Sequence, residues 1–202
     1  LFLAIVSISF FWTIGTVLFI QFPPLVKNVL EADKAIASLF LGIFSVGVAI
    51  GSILINRMLQ GHVSAKFAPA SVLAMGAFVI AFHIICRLWD SGLPPGQLMS
   101  LHDFLAHDYA VALVLVLLGI AISGGMFVVP LYAFLTTTVH KSHAARTVAA
   151  NNIVNSGAMV VGAVITLGMS AMGIDVVNQL LFTASMTVVS AFLAQKLHLA
   201  CD

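Results

Sequence analysis

The chain has 202 residues, of which 61% are hydrophobic and only 7% charged, and its formal net charge is +1. Several apolar runs near the length of a bilayer crossing accompany this balance, which excludes a water-soluble globular domain and a nucleic-acid-binding surface and marks an integral membrane protein. The two cysteines, Cys86 and Cys201, stand far apart without metal spacing, which excludes a disulfide framework and a thiolate metal site.

Six spans are predicted. The first, Phe2 to Val26, carries Trp12, Gly15 and Thr16 and closes on Gln21, Pro23 and Pro24, where proline loosens the end of the helix. A polar hairpin from Lys27 to Lys34 leads into the second span, Ile36 to Ile55, in which Gly47 and Gly51 lie four apart, a spacing that lets another helix approach closely. A compact basic loop with Arg57, Gly61, His62 and Lys66 follows. The third span, Phe67 to Trp89, ends in the interfacial sequence Arg87-Leu-Trp-Asp90 and carries His83, the only ionisable residue clearly inside a span rather than at its edge. Because His83 lies within two turns of the span's end, it reads as a structural imidazole bonded to a carbonyl or water.

The polar segment from Ser91 to Asp108 opens on a Gly-Leu-Pro-Pro-Gly turn cluster. Leu98, Leu101, Phe104 and Leu105 then share one helical face, the pattern of a short helix in the headgroup plane. His102-Asp103 and His107-Asp108 carry ligand chemistry, but the repeat reads as a solvated face and no metal or other cofactor is expected. The fourth span, Tyr109 to Thr136, contains Gly124, Gly125 and Pro130 and is expected to kink or unwind in its second half. His140, Lys141, His143 and Arg146 form a second basic loop before the fifth span, Ala144 to Ala171; after a tight Met-Gly-Ile-Asp turn the sixth runs from Val176 to Leu197.

The fifth span is the most informative. At about 100° per residue, Asn151, Asn152, Asn155, Met159, Gly162 and Thr166 fall within one arc, while Ile153, Val154, Val160, Val161, Val164 and Ile165 cover the other side. A helix interior satisfies its own backbone, so stranding each carboxamide in hydrocarbon costs on the order of 1–3 kcal/mol. The stripe therefore faces protein, water or a ligand, either as a seam between helices or as the wall of a transport cavity.

Charge sets an orientation. Arg57, Lys66, Lys141, Arg146 and Lys196 collect on one side against Asp202, whereas Lys27, Lys34 and Arg87 share the other with Glu31, Asp33, Asp90, Asp103, Asp108 and Asp175. The positive-inside tendency places both ends of the segment in the cytoplasm. Spans one to three and four to six each begin with a proline-bearing helix followed by one rich in small residues, which suggests two inverted three-helix repeats, a secondary-transporter arrangement. Since Leu1 already lies inside an apolar run and the sequence stops at Asp202, the segment reads as an excerpt of a longer polypeptide.

Three stretches carry a resemblance: Gly47-Val-Ala-Ile-Gly51-Ser-Ile-Leu-Ile-Asn-Arg57-Met-Leu-Gln-Gly61-His-Val, Met126-Phe-Val-Val-Pro130-Leu-Tyr-Ala-Phe134, and Arg146-Thr-Val-Ala-Ala-Asn-Asn152. Together they resemble the C-terminal six-helix half of a twelve-helix major facilitator superfamily transporter, and more narrowly the bacterial lysophospholipid transporters, including forms fused to a phospholipid acyltransferase. The resemblance implies an inner-membrane carrier that moves lysophospholipid between leaflets for reacylation, with an N-terminal six-helix half, membrane lipid and an attached acyltransferase as partners. It further implies that Asn151, Asn152, Asn155 and Thr147 line the cavity, and that Arg57, Gly61, Lys66 and Arg146 serve the cytoplasmic gate. In the family a Gly-x3-Asp-Arg-x-Gly-Arg-Arg loop follows the second helix, and here Asn56-Arg57 stands in place of Asp-Arg. A drug or metabolite exporter of the same superfamily and a membrane anchor for an acyltransferase are the competing readings. No nucleophile elbow, metal cluster or phosphate loop points to an enzyme.

Overall fold

The computed structural model describes residues 1–94 and 96–201. Pro95 of the turn cluster, Asp202 and the side chains of Lys141 and Cys201 lie outside the described parts. The chain is all-α: α1 (Phe2–Asn28), α2 (Lys34–Met58), α3 (Ala68–Leu88), α4 (Leu101–Ala106), α5 (Ala110–Thr137), α6 (Lys141–Ala171) and α7 (Val176–Cys201). Every helix except the short α4 is long and apolar enough to cross a membrane, so the architecture is that of a multi-pass membrane protein.

The ends of these helices are set by polar side chains that a hydropathy pattern does not register. Asp33 accepts from the Ala35 amide at 2.9 Å and starts α2 before its apolar run begins. His140 caps α6 through the Ser142 amide, and Asp175 takes the Asn178 amide at 2.7 Å at the head of α7. Gly173, at φ +79, supplies the left-handed turn between α6 and α7. Pro130 does not interrupt α5, nor do Pro23 and Pro24 end α1, which continues to Asn28. The unwinding expected at Pro130 is therefore not seen, because a proline deletes one helical hydrogen bond without obliging the flanking turns to open.

The inner helices are α1 and α5, the most buried of the six spans; α2 and α6 are the least buried. The dominant packing pairs are α2 with α5, α6 with α1, α3 with α7 and with α5, and α7 with α1. Small residues mark the closest approaches. A Cβ on Gly51 would overlap the Ile122 carbonyl, one on Gly125 would stand 2.5 Å from the Val48 carbonyl, and one on Gly47 would meet Ala121. Gly76 is seated against Thr187 on the α3–α7 seam, and Gly124 faces Phe11 and Met75. His83 bonds the Val177 carbonyl through Nδ1 at 2.8 Å, which makes Nδ1 the protonated nitrogen and ties α3 to the first turn of α7.

The segment between α3 and α5 folds back over one end of the bundle. Met99 exchanges backbone hydrogen bonds with the α1–α2 turn, donating to Glu31 at 2.6 Å and accepting from Asp33 at 3.0 Å. The Ser91 hydroxyl adds a bond to the Glu31 carboxylate. Ser100 and Asp103 form a capping box at α4, whose Phe104 is fully buried against Trp89 and Phe40, while Leu98, Leu101 and Leu105 are exposed. The amphipathic face expected for α4 is thus divided: its aromatic residue joins the core and its leucines face outward. Trp89 stacks on His107 with ring centroids 3.8 Å apart, and His107 Nε2 donates to the Asp90 carbonyl at 2.9 Å. Of the His102-Asp103 and His107-Asp108 pairs, Asp103 and His107 take part in these loop contacts, His102 lies 3.7 Å from Asp103, and no cluster able to hold a metal occurs among the described residues.

Candidate functional site: a polar groove between α1, α5 and α6

Helix α6 lies against α1 along one side and leaves the rest of its surface open. Asn151, Asn155, Gly162 and Thr166 recur at helical spacing and are all buried. Gly162 makes the approach possible, since a Cβ there would stand 2.5 Å from the Thr13 methyl. Ile153, Val160, Val164 and Leu167 point away from the bundle, each more than 60% exposed. One residue of helix turns a side chain by about 100°, so Asn152 does not share the seam with Asn151 and is exposed beside it.

Between the seam and α5 lies an open groove of about 350 Å³, lined by Trp12, Tyr132, Asn152, Asn155, Ser156 and Met159. A hydrogen-bonded chain forms its wall. The Ser9 hydroxyl donates to Asn155 Oδ1 at 2.7 Å, Asn155 Nδ2 donates to Tyr132 Oη at 3.3 Å, and Trp12 Nε1 donates to the same Oη at 2.7 Å. Tyr132 Oη therefore accepts twice, which leaves its own proton for an acceptor in the groove. Asn152 and Ser156 extend the polar lip, and Met159 with the faces of Trp12 and Tyr132 provides apolar surface. Trp12 is ten residues beyond the start of α1, about 15 Å along the axis, so these groups lie well inside the span.

The predicted residues separate into distinct environments. Asn152 and Asn155 border the groove; Asn151 is fully buried, with neither amide atom partnered among the described residues. Thr147, one turn earlier, is half-buried. Arg57, Gly61, Lys66 and Arg146 are exposed, with Arg57 in the last turn of α2 and Arg146 near the start of α6. Lys66 Nζ sits 5.6 Å from the ring centre of Phe67. Arg57 and Arg146 form no ion pair among the described residues. Gly47, Gly51, Gly124 and Gly125 lie in helix interfaces and Pro130 is buried within α5, all outside the groove lining.

Reading the sequence helix by helix missed Ser9, Trp12 and Tyr132 as members of the site. Trp12 and Tyr132 carried a usable signal, since an indole or phenol placed mid-span in a membrane needs a partner for its polar atom. Their pairing across 120 positions carried none.

Compared with known protein families, curated proteins and solved structures, the chain matches none.

Proposed function

We propose that the chain is one half of an alternating-access carrier of the major facilitator type, moving lysophospholipid or a similar amphiphile across a bacterial inner membrane. The observation that carries this reading is the groove itself: amide, hydroxyl, indole and phenol groups gathered mid-span on a surface open to the outside of the bundle. Against acyl chains that surface would cost on the order of 1–3 kcal/mol per unpaired amide, so it calls for water, substrate or a second bundle in front of it.

The packing pattern supports an inverted repeat. Exchanging α1 with α5, α2 with α6 and α3 with α7 maps the α2–α5 pair onto α6–α1 and the α3–α5 pair onto α7–α1, while α3–α7 maps onto itself; all five are major contacts. In each unit of three spans the second helix leans on the first helix of the other unit, as in carriers built from inverted repeats. The two helices exchanged in this way, α2 and α6, are also the least buried. Both carry outward stripes of small or polar residues: Ser38, Gly42, Ser45, Ala49 and Asn56 on α2, and Ala145, Ala149, Asn152 and Ser156 on α6. Such stripes suit close packing against a second six-helix half. Arg57, Lys66 and Arg146 then stand at the rim facing that half, where helix C-termini and carboxylates would receive them in the closed state.

The groove fits an amphiphile because it joins hydrogen-bonding groups to aromatic and thioether surface. The test is flipping of fluorescent lysophosphatidylethanolamine in proteoliposomes by the full-length polypeptide. Asn155→Leu and Tyr132→Phe are expected to reduce the rate at least tenfold with unchanged protein level. Unchanged flipping in both would overturn the assignment of the groove, and flipping of a soluble solute in place of lipid would favour an exporter.

A further inference from the structure

A second polar cavity lies at the C-terminal end of α1, between α1, α6 and α7, with a volume of about 410 Å³. Its lining includes Ile20, Gln21, Pro24, Ser170, Asp175 and Gln179. Gln21 and Gln179 are 1% and 2% exposed. Gln179 is committed: its Nε2 donates to the Ser170 hydroxyl and to the Ile174 carbonyl, both at 2.9 Å, and its Oε1 receives Gln21 Nε2 at 3.5 Å. That arrangement leaves Gln21 Oε1 buried without a partner, an acceptor whose isolation costs free energy unless something donates to it.

The Asn28 carboxamide and the Ser170 hydroxyl, both on exposed residues, also line the cavity as donors, while its proline-bearing wall adds a second free acceptor. Pro24 has no N–H, so the Ile20 carbonyl beside it lacks its normal helical donor. Helices α1 and α6 both terminate here and α7 begins here, so two negative helix ends meet one positive end, which Asp175 caps. Asp175 adds a carboxylate, paired with Arg87 at 3.5 Å and bonded to Asn178, and among the described residues no Lys or Arg lines the cavity. No aromatic ring lines it either, which removes the surface that quaternary ammonium recognition uses. The volume is many times the roughly 30 Å³ share of one water and exceeds what a bare ion fills.

We propose that this cavity binds a primary ammonium group, carried by a soluble amine or by a lipid headgroup, with Gln21 Oε1 and the Ile20 carbonyl as its acceptors beside the C-terminal ends of α1 and α6. The proposal stands apart from the transport reading, since it concerns a separate cavity at the C-terminal end of α1 that shares no lining residue with the groove.

The test is binding of ethylammonium by saturation-transfer NMR to the full chain in phosphatidylcholine nanodiscs, with tetramethylammonium as the control. Saturable ethylammonium binding and none for tetramethylammonium is expected. Gln21→Leu should weaken binding at least tenfold, Gln21→Glu should preserve or tighten it, and Pro24→Ala, which restores a donor to the Ile20 carbonyl, should weaken it severalfold; circular dichroism confirms that each variant remains helical. Displacement by lysophosphatidylethanolamine but not by lysophosphatidylcholine assigns the ammonium to a lipid, and ethylammonium binding without such displacement assigns it to a soluble amine. A Gln21-dependent signal from lysophosphatidylethanolamine alone also supports the lipid source. Equal binding of both cations, binding unaffected by Gln21→Leu, or no binding of either ethylammonium or lysophosphatidylethanolamine would overturn the proposal.

Discussion

The Ser9 hydroxyl and the Asn155 side chain meet across the α1–α6 seam at 2.7 Å. Asn155 also reaches Tyr132 on α5, so one buried amide connects three helices. Asn155→Leu is expected to destabilise the bundle by about 1 kcal/mol, within the range measured for interhelical hydrogen bonds in membrane proteins. Asn152→Leu, at an exposed position with no such bonds to lose, should leave stability unchanged. Equilibrium unfolding of the two variants in mixed micelles checks the contrast.

The glycines on α2 should differ sharply in their tolerance of a methyl group. Gly51 faces the Ile122 backbone, which cannot move aside as a flexible side chain would, whereas a Cβ on Gly42 meets nothing within 4 Å. Gly51→Ala is therefore expected to cost about 1–3 kcal/mol by forcing α2 away from α5. Gly42→Ala should be neutral or slightly stabilising, since alanine is the better helix former. Thermal unfolding of the purified variants distinguishes the two.

Asp103 gives the segment over the end of the bundle an acid limit. Hydrogen bonds from the Ser100 side chain and backbone hold its carboxyl below the ordinary aspartate range. A depressed folded pKa contributes stability that is fully present above the unfolded value and is lost as pH falls through the folded one. Amide exchange at Ser100 and Asp103 should thus be constant from neutral pH down to the ordinary carboxylate range and accelerate only below it, once the intrinsic pH dependence is divided out. Asp103→Asn should remove that acid step.

The apolar lengths of the spans, read with the punctuation between them, were enough to delimit six helices, because bilayer-length hydrophobic runs have few alternatives in this composition. Helix ends were less legible. Asp33 and His140 begin α2 and α6 through their own side chains, in polar sequence that an apolar window passes over. The segment after α3 was the hardest part, because its course depends on Met99 pairing with Glu31 and Asp33 about seventy positions earlier. On α6 the periodicity separated a polar arc from an apolar one. It carried no information on how far α1 would cover that arc, and coverage is what divides Asn151, fully buried, from Asn152, exposed one residue later. Gln21 and Gln179 were equally opaque: each is an isolated glutamine in its own helix, and only folding brings them together.

The central claim is that the surface holding Asn152 and Ser156 borders a water-accessible passage, while the apolar face of α6 meets lipid. Single cysteines at Asn152, Ser156 and Val164, placed in a full-length polypeptide with Cys86 and Cys201 replaced by Ala, can be challenged with a membrane-impermeant thiol reagent. The account predicts rapid labelling at 152 and 156, slowed by added lysophosphatidylethanolamine, and no labelling at 164. Inert cysteines at 152 and 156, or equal labelling at all three positions, would contradict it.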